Sequence, residues 1–342
     1  MRVAVIGCGA VGARAARQLV SSAGIESVVL RDLRADWLHS VGESLGPTAH
    51  VQPPPYVAPP HVDVPDVDIV VLATPAGTHA ALARAAVARG IGVVSTSDAV
   101  DDVRLLLSLD GEARRRGVPV VVGAGFTPGL TCVLAHFGAR NLDAVDEVHV
   151  AKVGTGGPAC ARQHHHALSG AAFDWRDGAW LRRRGGSGRE LVWFPEPVGG
   201  RDCYRGALAD PLLLLPDFPS ARRITSRMAA TRRDRLTMRL PMMMPPHAEG
   251  GPGAARVELR GSRDGAREVA IYGVMDRPAV AAGAVAAVAA RWALEGRLLS
   301  RGAAGLSRMV EPGPFLSELA ERGTRVAVFD GTPRVQPFPE PH

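Results

Sequence analysis

Lysine is nearly missing from this sequence: Lys152 is the only one, and the other basic residues are arginines. Those arginines are scattered, and lysines normally share in neutralising phosphates, so the formal net charge of +6 does not mark a nucleic-acid-binding surface. Cysteine is scarce as well. Cys8, Cys132, Cys160 and Cys203 form no C-x-x-C pair and no metal-type spacing, which predicts a cytoplasmic protein without a metal site. The longest apolar run, residues 279–290, stops at Arg291 and is too short to cross a bilayer. No repeat of fixed period is present, and the opening residues MRVAVIG read as a strand, not a cleavable leader. What is there is a chain of 342 residues, 46% hydrophobic, which predicts two domains with a sizeable core.

From the N-terminus the pattern alternates strand and helix. Residues 2–6 are a β-branched run, 7–12 a glycine turn and 13–20 a helix. Further strands are expected at 27–30, 68–73, 92–95 and 119–122, helices at 80–89 and 103–116, and a Pro-rich loop at 52–60. This alternation predicts a doubly wound parallel sheet with helices on both faces. After Gly123 the texture changes to strands, at 147–152, 256–260 and 268–272, between Gly/Pro/Arg-rich loops, which predicts an α+β second domain. An Ala-rich helix over 278–299 is expected to return to the first domain, followed by a helix at 315–322 and a strand at 324–329.

A G-x-G-x-x-G that follows a strand directly and opens a helix is the mark of a dinucleotide site. Gly7 permits the tight turn, Gly9 lets the backbone approach a pyrophosphate, and Gly12 lets the helix sit close to the strand. The helix start, with Ala10 and Val11, offers free N–H donors and a positive dipole end. Asp32, twenty residues beyond Gly12 at the end of the second strand, is placed to accept hydrogen bonds from ribose hydroxyls, which favours NAD. Arg31 and Arg34 flank it and suit the 2′-phosphate of NADP, so both cofactors stay open. Ala73, Thr74 and Pro75 end the next strand and are expected to line the cofactor, with Ser97 one strand further on. His79 reads as a surface or capping residue at a helix start.

Four stretches together resemble the saccharopine dehydrogenase-like family, including its homospermidine synthase and carboxynorspermidine dehydrogenase branches: GCGAVG at 7–12, ATPAGTH at 73–79, VVSTSD at 93–98 and GAGFTPGL at 123–130. The family has a G-x-x-PG-type turn after its final Rossmann strand, and residues 125–129 stand at that place; Thr127 and Pro128 are expected to touch substrate. The resemblance covers about the first 135 and the last 55 residues. Sugar oxidoreductases resembling glucose–fructose oxidoreductase share the layout but carry Glu-Lys-Pro where this chain has Ser95-Thr96-Ser97-Asp98, and rank second. The resemblance implies an NAD(P)-dependent oxidoreductase that forms a homodimer through the second domain's sheet.

The run from Lys152 to His166 concentrates polar groups suited to a carbonyl or imine reduction. Such a reaction needs a proton donor titrating near neutrality, which makes His164 and His165 catalytic candidates. On a helix Cys160 and His164 share a face, whereas His164, His165 and His166 point in different directions. Lys152 is a third candidate, as an acid/base or Schiff-base group, against the alternative of a strand-borne ion-pair partner. Arg162, Tyr204 and Arg205 are candidate substrate contacts, and the stretches 201–205 and 232–235 have the arginines to clamp a carboxylate. Trp175, Trp180 and Trp193 read as core or dimer-interface anchors.

The sequence thus predicts an α/β protein. Residues 1–124 with about 278–300 form an NAD(P)-binding Rossmann domain, 125–277 with 301–330 an α+β substrate and dimerisation domain, and 331–342 a flexible tail. The expected activity is hydride transfer between NAD or NADP and a small, carboxylate-bearing amine, imine or carbonyl compound. Two other classes stay open: a redox-neutral, NAD-using transferase of homospermidine synthase type, and a non-catalytic NAD(P)-sensing protein.

Overall fold

The computed structural model describes residues 1–52, 63–240, 242, 247–324 and 326–329. All of the expected Pro-rich loop but Gln52, and the whole of the expected tail, lie outside these described residues. The first part runs β1 (Arg2–Ile6), α1 (Ala10–Val20), β2 (Ser27–Arg31), α2 (Ala35–Leu45), β3 (Ala49–Val51), β4 (Ile69–Leu72), α3 (His79–Ala88), β5 (Gly92–Ser95), α4 (Val100–Leu107), α5 (Asp110–Arg116) and β6 (Pro119–Val122). Next come α6 (Leu130–Ala139), β7 (Ala144–Val153), α7 (Pro158–Ser169), β8 (Ala171–Arg176), β9 (Ala179–Arg184), β10 (Glu190–Trp193), β11 (Gly200–Tyr204), α8 (Asp210–Leu214), β12 (Arg223–Ala229), α9 (Arg232–Thr237), β13 (Gly253–Arg263) and β14 (Ala266–Asp276). The chain closes with α10 (Pro278–Leu294), β15 (Gly302–Gly305), α11 (Leu306–Met309), α12 (Pro312–Glu321) and β16 (Val326–Phe329).

The first sheet is wholly parallel, in the order β15-β6-β5-β4-β1-β2-β3. Its central strands are near-continuous valine runs because helices cover both faces: IVVL of β4 and PVVV of β6 are buried at every residue. Strand order reverses between β1 and β4. In an open parallel sheet that reversal leaves a crevice beyond the carboxyl ends of the two strands, and the glycine turn opens into it. The Ala-rich α10 packs on α1, β4 and β5, as its small side chains allow. Two expectations need correction. The helix expected over 103–116 is two helices, α4 and α5, and residues 302–305, assigned above to the second domain, pair with β6 at the edge of the first sheet.

The second sheet is mixed, in the order β10-β11-β12-β7-β13-β14-β16, with the β8–β9 hairpin attached to β12. Its parallel pair, β12 and β7, brings Met228 opposite Lys152 and Ser226 opposite Val150. Alternation along β7 turns Val148, Val150 and Lys152 to one face and His149 and Ala151 to the other. No described helix is long and apolar enough to cross a membrane.

Candidate active site

Three glycines shape the turn after β1 for different reasons. A Cβ on Gly7, whose φ is +92°, would lie 2.5 Å from the Ala73 carbonyl oxygen, and one on Gly12 would run into the carbonyl of Gly7. Both are required by close packing of turn, helix and neighbouring strand. Gly9 is different: its φ of −69° is open to any residue, and a Cβ there would meet nothing within 4 Å. Bare backbone thus faces open space in front of α1, whose first N–H groups receive no side-chain cap. A pyrophosphate fits that cradle, and the residues present therefore suit a nicotinamide dinucleotide.

At the adenosine side, the Asp32 carboxylate accepts from the backbone N–H of Cys8 (2.8 Å) and of Arg34 (3.0 Å), and from Arg34 Nε (3.3 Å). Trp37, which sequence reasoning missed, donates its indole N–H to the Cys8 carbonyl (2.6 Å), and the Arg34 guanidinium lies 5.4 Å from its ring centre. Asp32, Arg34 and Trp37 thus form one group at the end of β2. Arg31 does not join it. Its buried side chain turns to Asp63, donating to the carbonyl (2.9 Å) and the carboxylate (3.0 Å). Ala73, Thr74 and Pro75 follow β4, with the Ala73 carbonyl and the Thr74 nitrogen packed against Gly7. Ser97 is buried and donates to Asp102 (2.8 Å). His79, expected at the surface, is only 1% exposed: its ring lies between the Ser95 hydroxyl (2.9 Å) and the Thr74 carbonyl (2.8 Å).

The two domains meet at Lys152. The only lysine of the chain is 7% exposed, and its ammonium donates to the Asp98 carboxylate (3.3 Å), three residues past the end of β5. Helix α7 begins beside the glycine turn, since a Cβ on Gly157 would lie 2.8 Å from Cβ of Ala10. Its Cys160 and His164 both feel the Lys152 charge. Burial raises the Cys160 thiol above its usual range, which leaves it a weak nucleophile. Asp210, fully enclosed, accepts from Thr131 (2.7 Å) and Ser226 (3.4 Å); burial raises its pKa against that hydrogen bond and the Lys152 charge. Asp210 carries no local motif, whereas Asp98 closes the VVSTSD stretch and Lys152, the only lysine, opens the polar run named above.

Among the described residues no hydrogen bond joins the remaining candidates to Lys152, Asp98 or Asp210. His165 meets the Leu240 carbonyl (2.9 Å), while His166 and Arg162 are exposed. Arg205 is held by Asp174 (2.9 Å), and Tyr204 is buried, with the Arg235 guanidinium 4.3 Å from its ring centre. Thr127 and Pro128 are buried in the turn after β6, joined by a cis peptide bond; the Pro128 carbonyl accepts from Gly125 N–H (3.1 Å). Among the described residues no group of three or more His, Cys, Asp or Glu is arranged to hold a metal ion.

His164 departs from the neutral-pH proton donor expected of it. Burial, and then the Lys152 charge, push its pKa down to about 3, so the ring is neutral. Its Nε2–H donates to the Ala229 carbonyl (3.3 Å), which leaves the buried Nδ1 an acceptor without a partner. An unfolded histidine takes up its proton near 6.5, the folded ring only near 3, so the unfolded state binds more protons in between. Stability should therefore fall as pH drops below that upper value, with His164 contributing up to about 1.4 kcal/mol per pH unit. Urea unfolding at neutral and mildly acidic pH should show a smaller loss in His164→Gln than in the parent. Equal losses would refute the buried, neutral ring.

Comparison with known proteins agrees with this geometry. Residues 1–125 match the model of the oxidoreductase family with an NAD-binding Rossmann fold. The match lies on the first domain. Across the chain, the fold is similar to that of apo saccharopine dehydrogenase (L-Glu forming) from Saccharomyces cerevisiae: TM-score 0.69, 13% identity, 96% of this chain and 99% of that one covered. It is also similar to amine dehydrogenase from Mycobacterium smegmatis, with TM-score 0.53, 12% identity and coverages of 91% and 96%. The glycine turn, the crevice it opens into and the family match define the class: an NAD(P)-dependent oxidoreductase.

Proposed function

We propose that this protein moves hydride between NAD(P) and a small amine, imine or carbonyl compound held where its two domains meet, with Lys152 as the acid/base group. The observation that carries this reading is the placement of the only lysine, buried beside the crevice and paired with Asp98 from the first domain. Arginine keeps its charge at any working pH, whereas an ammonium can give up a proton and take it back. The bound dinucleotide, held by the Gly9 backbone, the start of α1 and the Asp32 group, supplies the hydride donor or acceptor. Asp98 holds the Lys152 ammonium toward the crevice, and Lys152 delivers a proton to the substrate nitrogen or oxygen, or removes one in the opposite direction. Neutral His164 supports this as an acceptor: its free Nδ1 can take a hydrogen bond from Lys152 or from the substrate.

Of the arginines expected to clamp a substrate carboxylate, Arg205 is engaged by Asp174, and Arg162 and Arg201 face solvent. Arg232 and Arg233, also exposed, stay candidates because they lie on α9, the helix whose Asp234 charge reaches His164. Titration with NADH and NADPH, followed by assay against amino acids, polyamine precursors and keto acids, tests the reading. Saturable cofactor binding and turnover of at least one compound are expected; binding without turnover of any would overturn it. A homodimer is part of the same proposal, supported by Leu191 and Trp193, about 60% exposed on the edge strand β10. Light scattering at twice 35.9 kDa is the expected result. The four free cysteines support a reducing, cytoplasmic setting.

A further inference from the structure

Four polar side chains beside the loop between β4 and α3 form a chain of hydrogen bonds with a fixed direction. His79, Ser95, Ser97 and Asp102 are each at most 6% exposed. The Thr74 carbonyl can only accept, so His79 donates to it from Nε2 (2.8 Å), and its Nδ1 must accept from the Ser95 hydroxyl (2.9 Å). Ser95 Oγ in turn accepts the N–H of Ser97 (3.3 Å), and Ser97 Oγ accepts the N–H of Ala99 (3.3 Å). The Ser97 hydroxyl donates to Asp102 (2.8 Å), and the same carboxylate oxygen accepts the N–H of Gly77 (2.8 Å). Both ends of the relay therefore finish on the backbone of the loop between β4 and α3, one at Thr74 and one at Gly77. Its middle fixes the step from Ser95 to Ser97, immediately before Asp98. A neutral His79 suits this arrangement, and burial lowers its pKa in that direction.

The loop so held is the one that abuts Gly7, and Asp98 is the partner of Lys152. The Asp32, Arg34 and Trp37 group at the end of β2 makes no hydrogen bond with any member of the relay. We propose that His79 and Asp102 are positioning residues: they hold residues 74–77 and the Ser97–Asp98 step in the form that receives the nicotinamide half of the dinucleotide, and leave its adenosine half untouched. This rests on the cofactor reading above. Without His79, the Thr74 carbonyl and the Ser95 hydroxyl lose their partner in the interior, and the loop must shift to satisfy them.

The test compares two ligands that share the adenosine half. Calorimetric titration of His79→Leu should show about tenfold weaker binding of NADH, with AMP binding unchanged. His79→Gln, which can still donate to Thr74 and accept from Ser95, should recover most of the loss. If the protein prefers NADPH, the corresponding pair is NADPH and adenosine 2′,5′-bisphosphate. Equal weakening of both ligands, or of neither, overturns the proposal. Should His79→Leu not fold, Asp102→Ala takes its place under the same criteria, since alanine leaves the N–H of Gly77 and the hydroxyl of Ser97 without their shared acceptor. A parent protein that binds neither ligand would instead sink the cofactor reading; normal binding by the parent with an unaffected variant sinks only the relay.

Discussion

Lys152→Met is expected to lower kcat by roughly 10²- to 10⁴-fold, the usual worth of a positioned proton donor, while NADH binding changes little. Lys152→Arg is the sharper test. Arginine keeps the positive charge and can pair with Asp98, but it does not release a proton in the working pH range. If the charge alone mattered, the Arg variant would keep most of the parent rate; if proton transfer matters, it should fall nearly as far as Met. Both variants are measured with the best substrate from the panel, with cofactor affinity determined separately by titration. An Arg variant that turns over like the parent would remove Lys152 from the chemistry and return it to the status of an inter-domain ion pair.

The glycine turn yields the second large effect, as a contrast between two positions three residues apart. Gly9→Val places a branched side chain in the space a pyrophosphate needs, in a backbone conformation that valine adopts without strain. Binding of NADH should weaken by at least about 100-fold while the melting temperature stays within about 2 °C of the parent. Gly12→Val should behave in the opposite way, because its Cβ would run into the Gly7 carbonyl between β1 and α1. That variant should lose folded protein before any ligand is added. Unchanged NADH affinity in Gly9→Val would mean that the dinucleotide does not approach this turn.

What the sequence made legible was local. Gly7, Gly9 and Gly12 carry their meaning within six residues, and the valine runs of β4 and β6 mark buried strands whatever lies around them. Side-chain direction was harder. Arg31 and Asp32 are neighbours at the end of a strand, where successive side chains point to opposite faces, so the two were not going to share one partner. His79 sits at a helix start, a position that often faces water, and its burial is decided by β5, a separate segment. The Lys152–Asp98 pair joins residues 54 positions apart, and neither the VVSTSD stretch nor the polar run from Lys152 says that the two meet. Strand β15 is Gly-Ala-Ala-Gly, a sequence with little β propensity; it is a strand because β6 offers it an edge. The β8–β12 region went unread for a related reason: Ala-Trp-Leu-Arg-Arg-Arg of β9 is largely exposed and shows no alternation to detect.

The position of β15 bears on how the protein is made. Synthesis proceeds from the N-terminus, and domains tend to fold in the order in which they leave the ribosome. Here the first sheet lacks its outer strand until residues 302–305 emerge, and α1 lacks the helix that covers it until 278–294 do. The nascent cofactor domain must therefore wait, with the flank of α1 bare, while the whole second sheet except β16 is translated. Chains cut short before residue 278 should accumulate as insoluble material and not as a free-standing dinucleotide-binding fragment.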